Sequence, residues 1–291
     1  MDLAFTFNVS PDVLKKCQEI TGLNPVVDRE SGTDIQIVAT KYKITEKTRL
    51  IQGIYASLDG LGLKNIPPNV TVCNNPGAFA FSTAEHVFAL ILAVTKKLID
   101  LNNKTHHKIF KKEPVKTVRG KKIGIIGYGE VGKQIAVIAK SFGMSVIAYT
   151  RSQVDDPNVD SFAVSIARLI TLSDIIVISL PLTNKTRGIM NKDALAMFNG
   201  EIIVNIARAE IVNKEDMLLY LKRFPERYYL ADVWWGETRI TDEIPPNCIL
   251  TPHVGDEVPG DIDESIILAC RNVKKFLEGA PANVIDPSEY Y

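Results

Sequence analysis

Three polar residues each follow an apolar run: Arg208 closes "IIVNIAR", Glu237 comes after "LADVWW", and His253 comes after "ILTP". A guanidinium keeps its charge at any physiological pH and forks onto two oxygens at once. An imidazole titrates near neutrality and can deliver a proton, and a neighbouring carboxylate favours the protonated form. Such a set suits a reaction in which a carbonyl oxygen gathers negative charge and is then protonated. Singly, each residue has a plainer reading: a surface ion pair, a loop acid, a core histidine. Their shared placement after apolar runs is what sets them apart, because open α/β sheets put ligand crevices at the carboxyl ends of their strands.

A second signal lies upstream. The stretch "KKIGIIGYGEVGKQIAVIAKSFGMSVIAYTRS" carries Gly127, Gly129 and Gly132 in G-x-G-x-x-G spacing, after an apolar strand and before a helix. That context marks a dinucleotide-binding turn. Gly127 permits the tight turn, Gly129 lets a pyrophosphate approach the backbone, and Gly132 allows close packing of helix on strand. At the end of the next strand, where an acid would bind a ribose 2′-hydroxyl, the chain has Thr150, Arg151 and Ser152. A guanidinium there matches a 2′-phosphate, so the expected cofactor is NADP(H), with NAD(H) the alternative.

These residues need a frame. "DIQIVAT", "RLIQGIY" and "VTVCNN" read as strands of a first unit; "KIGIIG", "SVIAYT", "DIIVISL", "EIIVNIA", "YYLADV" and "CILTPH" read as strands of a second. Helical patterns such as "KEDMLLYLKRF" alternate with them, which implies parallel sheets covered on both faces. The turn-rich "NNPGAFAFSTAEH" leads into one long helical segment expected from Thr83 to Leu101, a crossover between units. "IDESIILACRNVKKFLEG" is an amphipathic helix that can return to the first unit.

The order of "GIIGYGEVG", "SLPLTNKTRG", "VNIARAEIVNKEDML", "ADVWWGE" and "TPHVG" resembles the D-isomer-specific 2-hydroxyacid dehydrogenases, which include glycerate dehydrogenases and hydroxypyruvate and glyoxylate reductases. The resemblance implies an α/β protein of two doubly wound parallel-sheet domains. A Rossmann cofactor domain, 76–254, is inserted into a flavodoxin-like substrate domain, 1–75 with 255–291. It implies a substrate-orienting Arg208, a proton-donating His253 and Glu237 as its paired acid. It assigns the substrate carboxylate to the backbone of Tyr55, Ala56 and Ser57. Cofactor contacts extend to Glu130, Val131, Leu180, Pro181, Thr186, Ile206, Ala207 and Asp232. A homodimer built around the crossover helix is expected, with a small 2-keto acid, glyoxylate or hydroxypyruvate, as substrate. Ala209 stands where the family commonly has glycine, and Ser57 replaces a glycine in the carboxylate loop. Tyr55, Trp234 and Trp235 can narrow a pocket or simply fill a core.

Bulk properties remove other classes. With 34 basic and 34 acidic residues among 291, no net charge draws the chain to nucleic acid or membrane. The start lacks a secretory pattern, and "AEHVFALILAVTKKLIDL" is too short and too polar to span a bilayer. Cys17, Cys73, Cys248 and Cys270 are scattered and read as buried thiols of a reducing cytoplasm. Neither H-x-x-x-H nor H-E-x-x-H occurs, so no metal is expected. His106 and His107 read as solvated, and His86 as a packing or interface residue. A non-catalytic dinucleotide-sensing interaction protein on the same fold is the rival reading.

Overall fold

A computed structural model describes residues 1–28, 30, 32–63, 65–152, 155–237, 239–241 and 243–289. The chain divides into two compact units, one made of 1–79, 182–184 and 258–291, the other of 80–181 and 185–257.

In the first unit the described residues form a five-stranded sheet of β1 (Leu3–Phe5), β2 (Pro25–Val27), β3 (Ile35–Val38), β4 (Leu50–Gly53) and β5 (Thr71–Cys73). Its order is β2-β1-β3-β4-β5, the flavodoxin-like arrangement, and every pairing is parallel. Strand β3 is buried at all four positions, as a sheet covered on both faces requires. Helix α1 (Pro11–Thr21) opens on Ser10, whose Oγ accepts from Val13 N, and stops at Gly22 in the left-handed region. Helix α8 (Asp261–Leu277) packs with it, so Cys17 and Cys270 share a core with Phe5, Ile35, Ile37 and Leu50. Two amide side chains fasten α8 to the sheet: Asn75 Nδ2 donates to Ser265 O at 2.7 Å, and Asn272 Nδ2 donates to Gln52 Oε1 at 2.6 Å.

The second unit's sheet contains β6 (Lys122–Ile126), β7 (Ser145–Tyr149), β8 (Ser161–Phe162), β9 (Ile175–Ile178), β10 (Ile202–Asn205), β11 (Tyr228–Ala231) and β12 (Cys248–Leu250). The order β12-β11-β10-β9-β6-β7-β8 reverses direction at β6, the Rossmann switch point. Register sets Ile126 beside Ile178, Ile178 beside Asn205, Asn205 beside Ala231, and Ala231 beside Leu250. The carboxyl ends of five strands therefore lie flush. Helices α2 (Ala80–Thr95) and α4 (Glu130–Ser141) cover the sheet, placing Val87, Ile91, Ile135 and Ala139 in one core with Ile123, Val146, Val177 and Val204.

The expected helix from Thr83 to Leu101 is in fact two. Helix α2 ends at Thr95, Lys97 takes a left-handed φ of 53°, and α3 (Leu98–His106) starts anew. No glycine or proline marks the break. Its cause is a segment that returns about one helix length later: Lys116 N donates to Thr95 O at 2.8 Å, and Lys96 Nζ donates to Lys116 O at 2.8 Å. Cys248 departs from expectation too, being half-buried where the other three thiols are buried.

In the glycine turn after β6, Gly127 and Gly132 have the turn and packing roles read from their spacing. Gly127 has φ +104°, and a Cβ there would lie 2.8 Å from Ser179 O. A Cβ on Gly132 would lie 2.5 Å from Gly127 O, whereas one on Gly129 meets nothing within 4 Å. Gly132→Ala is thus expected to cost about 1–3 kcal/mol and to lower the thermal midpoint by about 2–4 °C per kcal/mol. Gly129→Ala should leave it in place. Calorimetry giving equal midpoints for the two variants would remove the packing role of Gly132.

Candidate active site

Arg208, Glu237 and His253 all belong to the second unit and all follow strand ends of its sheet. Arg208 comes three residues after β10, in a turn held by Asn205. That fully buried amide accepts from Ala207 N at 3.1 Å and donates to Arg208 O at 3.0 Å and to Tyr229 Oη at 3.1 Å. The Arg208 guanidinium donates from Nη1 to Ala207 O at 2.7 Å. The sequence reading passes over Asn205, which holds the turn that carries Arg208; its signal is a lone amide at the end of the apolar run "IIVN".

Glu237 and His253 meet across two loops. Glu237 Oε2 lies 3.2 Å from His253 Nδ1, and its Oε1 accepts from Trp234 N at 3.3 Å. The hydrogen bond from His253 is the main reason the Glu237 pKa is lowered; burial opposes it, and the Trp234 N–H and Arg208 charge assist. The same bond raises the His253 pKa, against burial and the charge of Arg208, with Asp256 also raising it. That mutual influence brings Arg208 into the same electrostatic group. His253 is therefore no core histidine: its side chain is 37% exposed. It also sits at φ +57°, a left-handed conformation that costs a non-glycine residue about 1–2 kcal/mol.

Asp232, one residue beyond β11, is buried at 4% exposure. Its carboxylate accepts from Thr251 Oγ1 at 2.5 Å, Val254 N at 3.0 Å and Gly255 N at 2.7 Å, and His86 Nε2 stands 3.4 Å away. Burial alone would raise its pKa, yet these donors hold it at about 2. His86 is thus packed on the loop that carries His253.

The other residues expected to meet the cofactor lie on α4 or in turns that follow strands of the same sheet. Glu130 pairs with Lys133 at 2.7 Å on the first turn of α4, and Val131 is half-buried against the core. Thr150 follows β7 and accepts from Ser152 N at 3.4 Å; Arg151 and Ser152 are exposed. Thr186 Oγ1 donates to Pro181 O at 2.7 Å, closing the loop after Leu180. Ile206 and Ala207 form the turn before Arg208. Helix α4 has no side-chain cap at Gly129, so its leading N–H groups face open space beside a backbone that no Cβ crowds. These features fit a pyrophosphate.

Tyr55, Ala56 and Ser57 belong to the first unit, just beyond β4. Asn75 N donates to Tyr55 O at 2.9 Å, Asn74 Nδ2 donates to Ala56 O at 2.7 Å, and the Tyr55 ring stacks on Phe79 at 5.7 Å. Trp234 and Trp235 do not reach out as pocket walls: Trp234 is 2% exposed, Trp235 Nε1 donates to Val212 O, and both rings pack near Tyr229. His106 and His107 are exposed.

A family model described as D-isomer specific 2-hydroxyacid dehydrogenase, NAD binding domain, matches residues 88–255, more than half of the chain. A hydroxypyruvate reductase of Thermotoga maritima is 34% identical over 213 residues, covering 67% of this chain and 68% of its own length. A glyoxylate reductase of Thermococcus kodakarensis is 25% identical over 282 residues, covering 92% of this chain and 83% of its own. The structure of a glycerate dehydrogenase related protein from Thermoplasma acidophilum matches with a TM-score of 0.72 at 39% identity, covering 95% of this chain and all of that one. A strand-end guanidinium, a carboxylate–imidazole pair and an open glycine turn on two parallel sheets agree with these matches: the chain belongs to the D-isomer specific 2-hydroxyacid dehydrogenase family and is an NAD(P)-dependent oxidoreductase.

Proposed function

We propose that this protein reduces a small 2-keto acid, glyoxylate or hydroxypyruvate, to the 2-hydroxy acid, of D configuration where a stereocentre forms. The observation that carries the reading is the Glu237–His253 contact at 3.2 Å within the field of Arg208. When bound, the nicotinamide supplies the hydride. Arg208 orients the substrate through its carboxylate and keto oxygens and stabilises the charge that gathers on the keto oxygen. His253 holds Nδ1 toward Glu237, leaving Nε2 to protonate that oxygen. Glu237 keeps the imidazole protonated until then. The loop Tyr55–Ala56–Ser57 keeps the role the resemblance gives it, backbone N–H groups for a carboxylate.

NADP(H) is the proposed cofactor, because an exposed arginine follows Thr150 where an acid would repel a 2′-phosphate. A homodimer is proposed on the apolar surface of α2, α3 and the segment after them, where Phe81, Leu98, Ile99 and Phe110 are 58%, 55%, 52% and 93% exposed. The setting proposed is the cytoplasm, where reduced nicotinamides are at hand and four free thiols persist.

His253→Ala and Arg208→Ala should each lower kcat/KM for keto-acid reduction about a hundredfold or more, with dinucleotide binding nearly intact; near-normal turnover in either variant excludes that residue from the chemistry. Reduction requires protonated His253, so its rate should fall as pH rises through the elevated His253 pKa. Glu237→Gln removes the main cause of that elevation and should move the alkaline limb of the kcat/KM profile to lower pH. An unmoved limb would dissociate Glu237 from the proton donor. Arg151→Ala should weaken NADPH about tenfold or more while sparing NADH, as read by fluorescence titration; wild-type preference for NADH, unchanged in the variant, would assign the protein to NAD(H).

A further inference from the structure

The half-buried chain His86–Thr251–Asp232 has no role in the proton transfer above, yet Asp232 holds the residues on both sides of the proton donor. Asp232 grips Thr251, two residues before His253, and the N–H groups of Val254 and Gly255, directly after it. His253 alone within that grip adopts positive φ. One carboxylate thus fixes both sides of a strained residue.

The donors can be ordered. Thr251 Oγ1 has a single proton, and at 2.5 Å from Asp232 Oδ1 that proton is donated to the carboxylate. The 2.9 Å contact between His86 Nε2 and Thr251 Oγ1 then requires Nε2–H as donor. His86 reaches in from α2, 165 residues away in the chain, and its Nε2 also lies 3.4 Å from Asp232 Oδ1. A Cβ on Gly255 would stand 2.9 Å from Asp232 Oδ2 and 3.4 Å from His86 Cδ2, so only glycine lets the backbone come this close to the carboxylate. Four donors, Thr251 Oγ1, His86 Nε2 and the N–H groups of Val254 and Gly255, converge on Asp232.

Resting on the reading of His253 as proton donor, we propose that Thr251 and His86 are positioning residues: they lock the Asp232 carboxylate in the orientation that holds His253 in its left-handed conformation and aims its ring at Glu237. Without the threonine hydroxyl, Asp232 Oδ1 loses its shortest bond and His86 Nε2 keeps only the longer 3.4 Å contact with Asp232 Oδ1. The loop then relaxes toward ordinary backbone angles, and the 3.2 Å contact of His253 with Glu237 opens.

Thr251→Val keeps the shape and deletes the hydroxyl. The chain has four histidines, few enough for the ring of His253 to be followed by NMR in uniformly labelled full-length protein. Glu237, Arg208 and Asp256, the charged groups that act on His253, are unchanged in the variant. Expected are a His253 titration midpoint shifted downward and kcat for keto-acid reduction lowered about tenfold. Thr251→Ser should restore both midpoint and rate. If Thr251→Val fails to fold, His86→Gln is read the same way, with a smaller downward shift expected. An unmoved midpoint in a folded variant, or a serine variant as impaired as the valine one, overturns the proposal. The ring titration is measured on resting protein, so absence of turnover with every 2-keto acid would refute the functional reading and still leave this one decided on its own terms.

Discussion

In the seven-stranded sheet, parallel register places Ile126, Ile178, Asn205, Ala231 and Leu250 level with one another. The chain leaves these strands along a single edge, and the turns that follow carry Gly127, Leu180, Arg208, Asp232, Glu237 and His253. A slip of one residue at any pairing would send each side chain to the opposite face of the sheet, away from the neighbours it packs against, and withdraw the adjoining turn from that edge. Burial of strands such as β9 and β10 at every position therefore does double duty, holding the core and keeping the charged turns in line.

Electrostatics then divides labour among groups of similar reach. Arg208 carries a charge that cannot be lost, and it disfavours a second cation at His253; Glu237 more than offsets it. The imidazole is thereby kept titratable but biased toward its charged form, as a proton donor must be. Asp232 sits a few residues from Glu237 in sequence, yet it is saturated with donors and has its pKa at about 2, so it acts as a fixed anion throughout the working pH range. Two carboxylates with different partners have different jobs.

The sheets were legible because their central strands are runs of β-branched residues bounded by turns, and the glycine spacing stated in advance why Gly127 and Gly132 admit no side chain. Strands β1, β2 and β8 escaped notice at three, three and two residues, since so short a run carries no period. The break at Lys97 was illegible for a different reason: its cause is Lys116, whose backbone and position are set by the fold. Arg208, Glu237 and His253 could be picked out as types at strand ends. The hydrogen bonds of Asn205 and the Asp232–Thr251–His86 chain could not, because they depend on the β11–β12 register and on a helix distant in sequence.

The tie between Asn75 and Ser265 joins residues 190 positions apart within one unit, and Ser265 Oγ in turn donates to Ile54 O. During synthesis, the sheet of β1 to β5 emerges long before α8, the helix that covers part of its core. The second unit, whose segments are all made by residue 257, has its whole sequence available first. Nascent chains thus carry a partly uncovered apolar sheet until α8 is made, a state open to misassociation, and the arrival of that helix ends it.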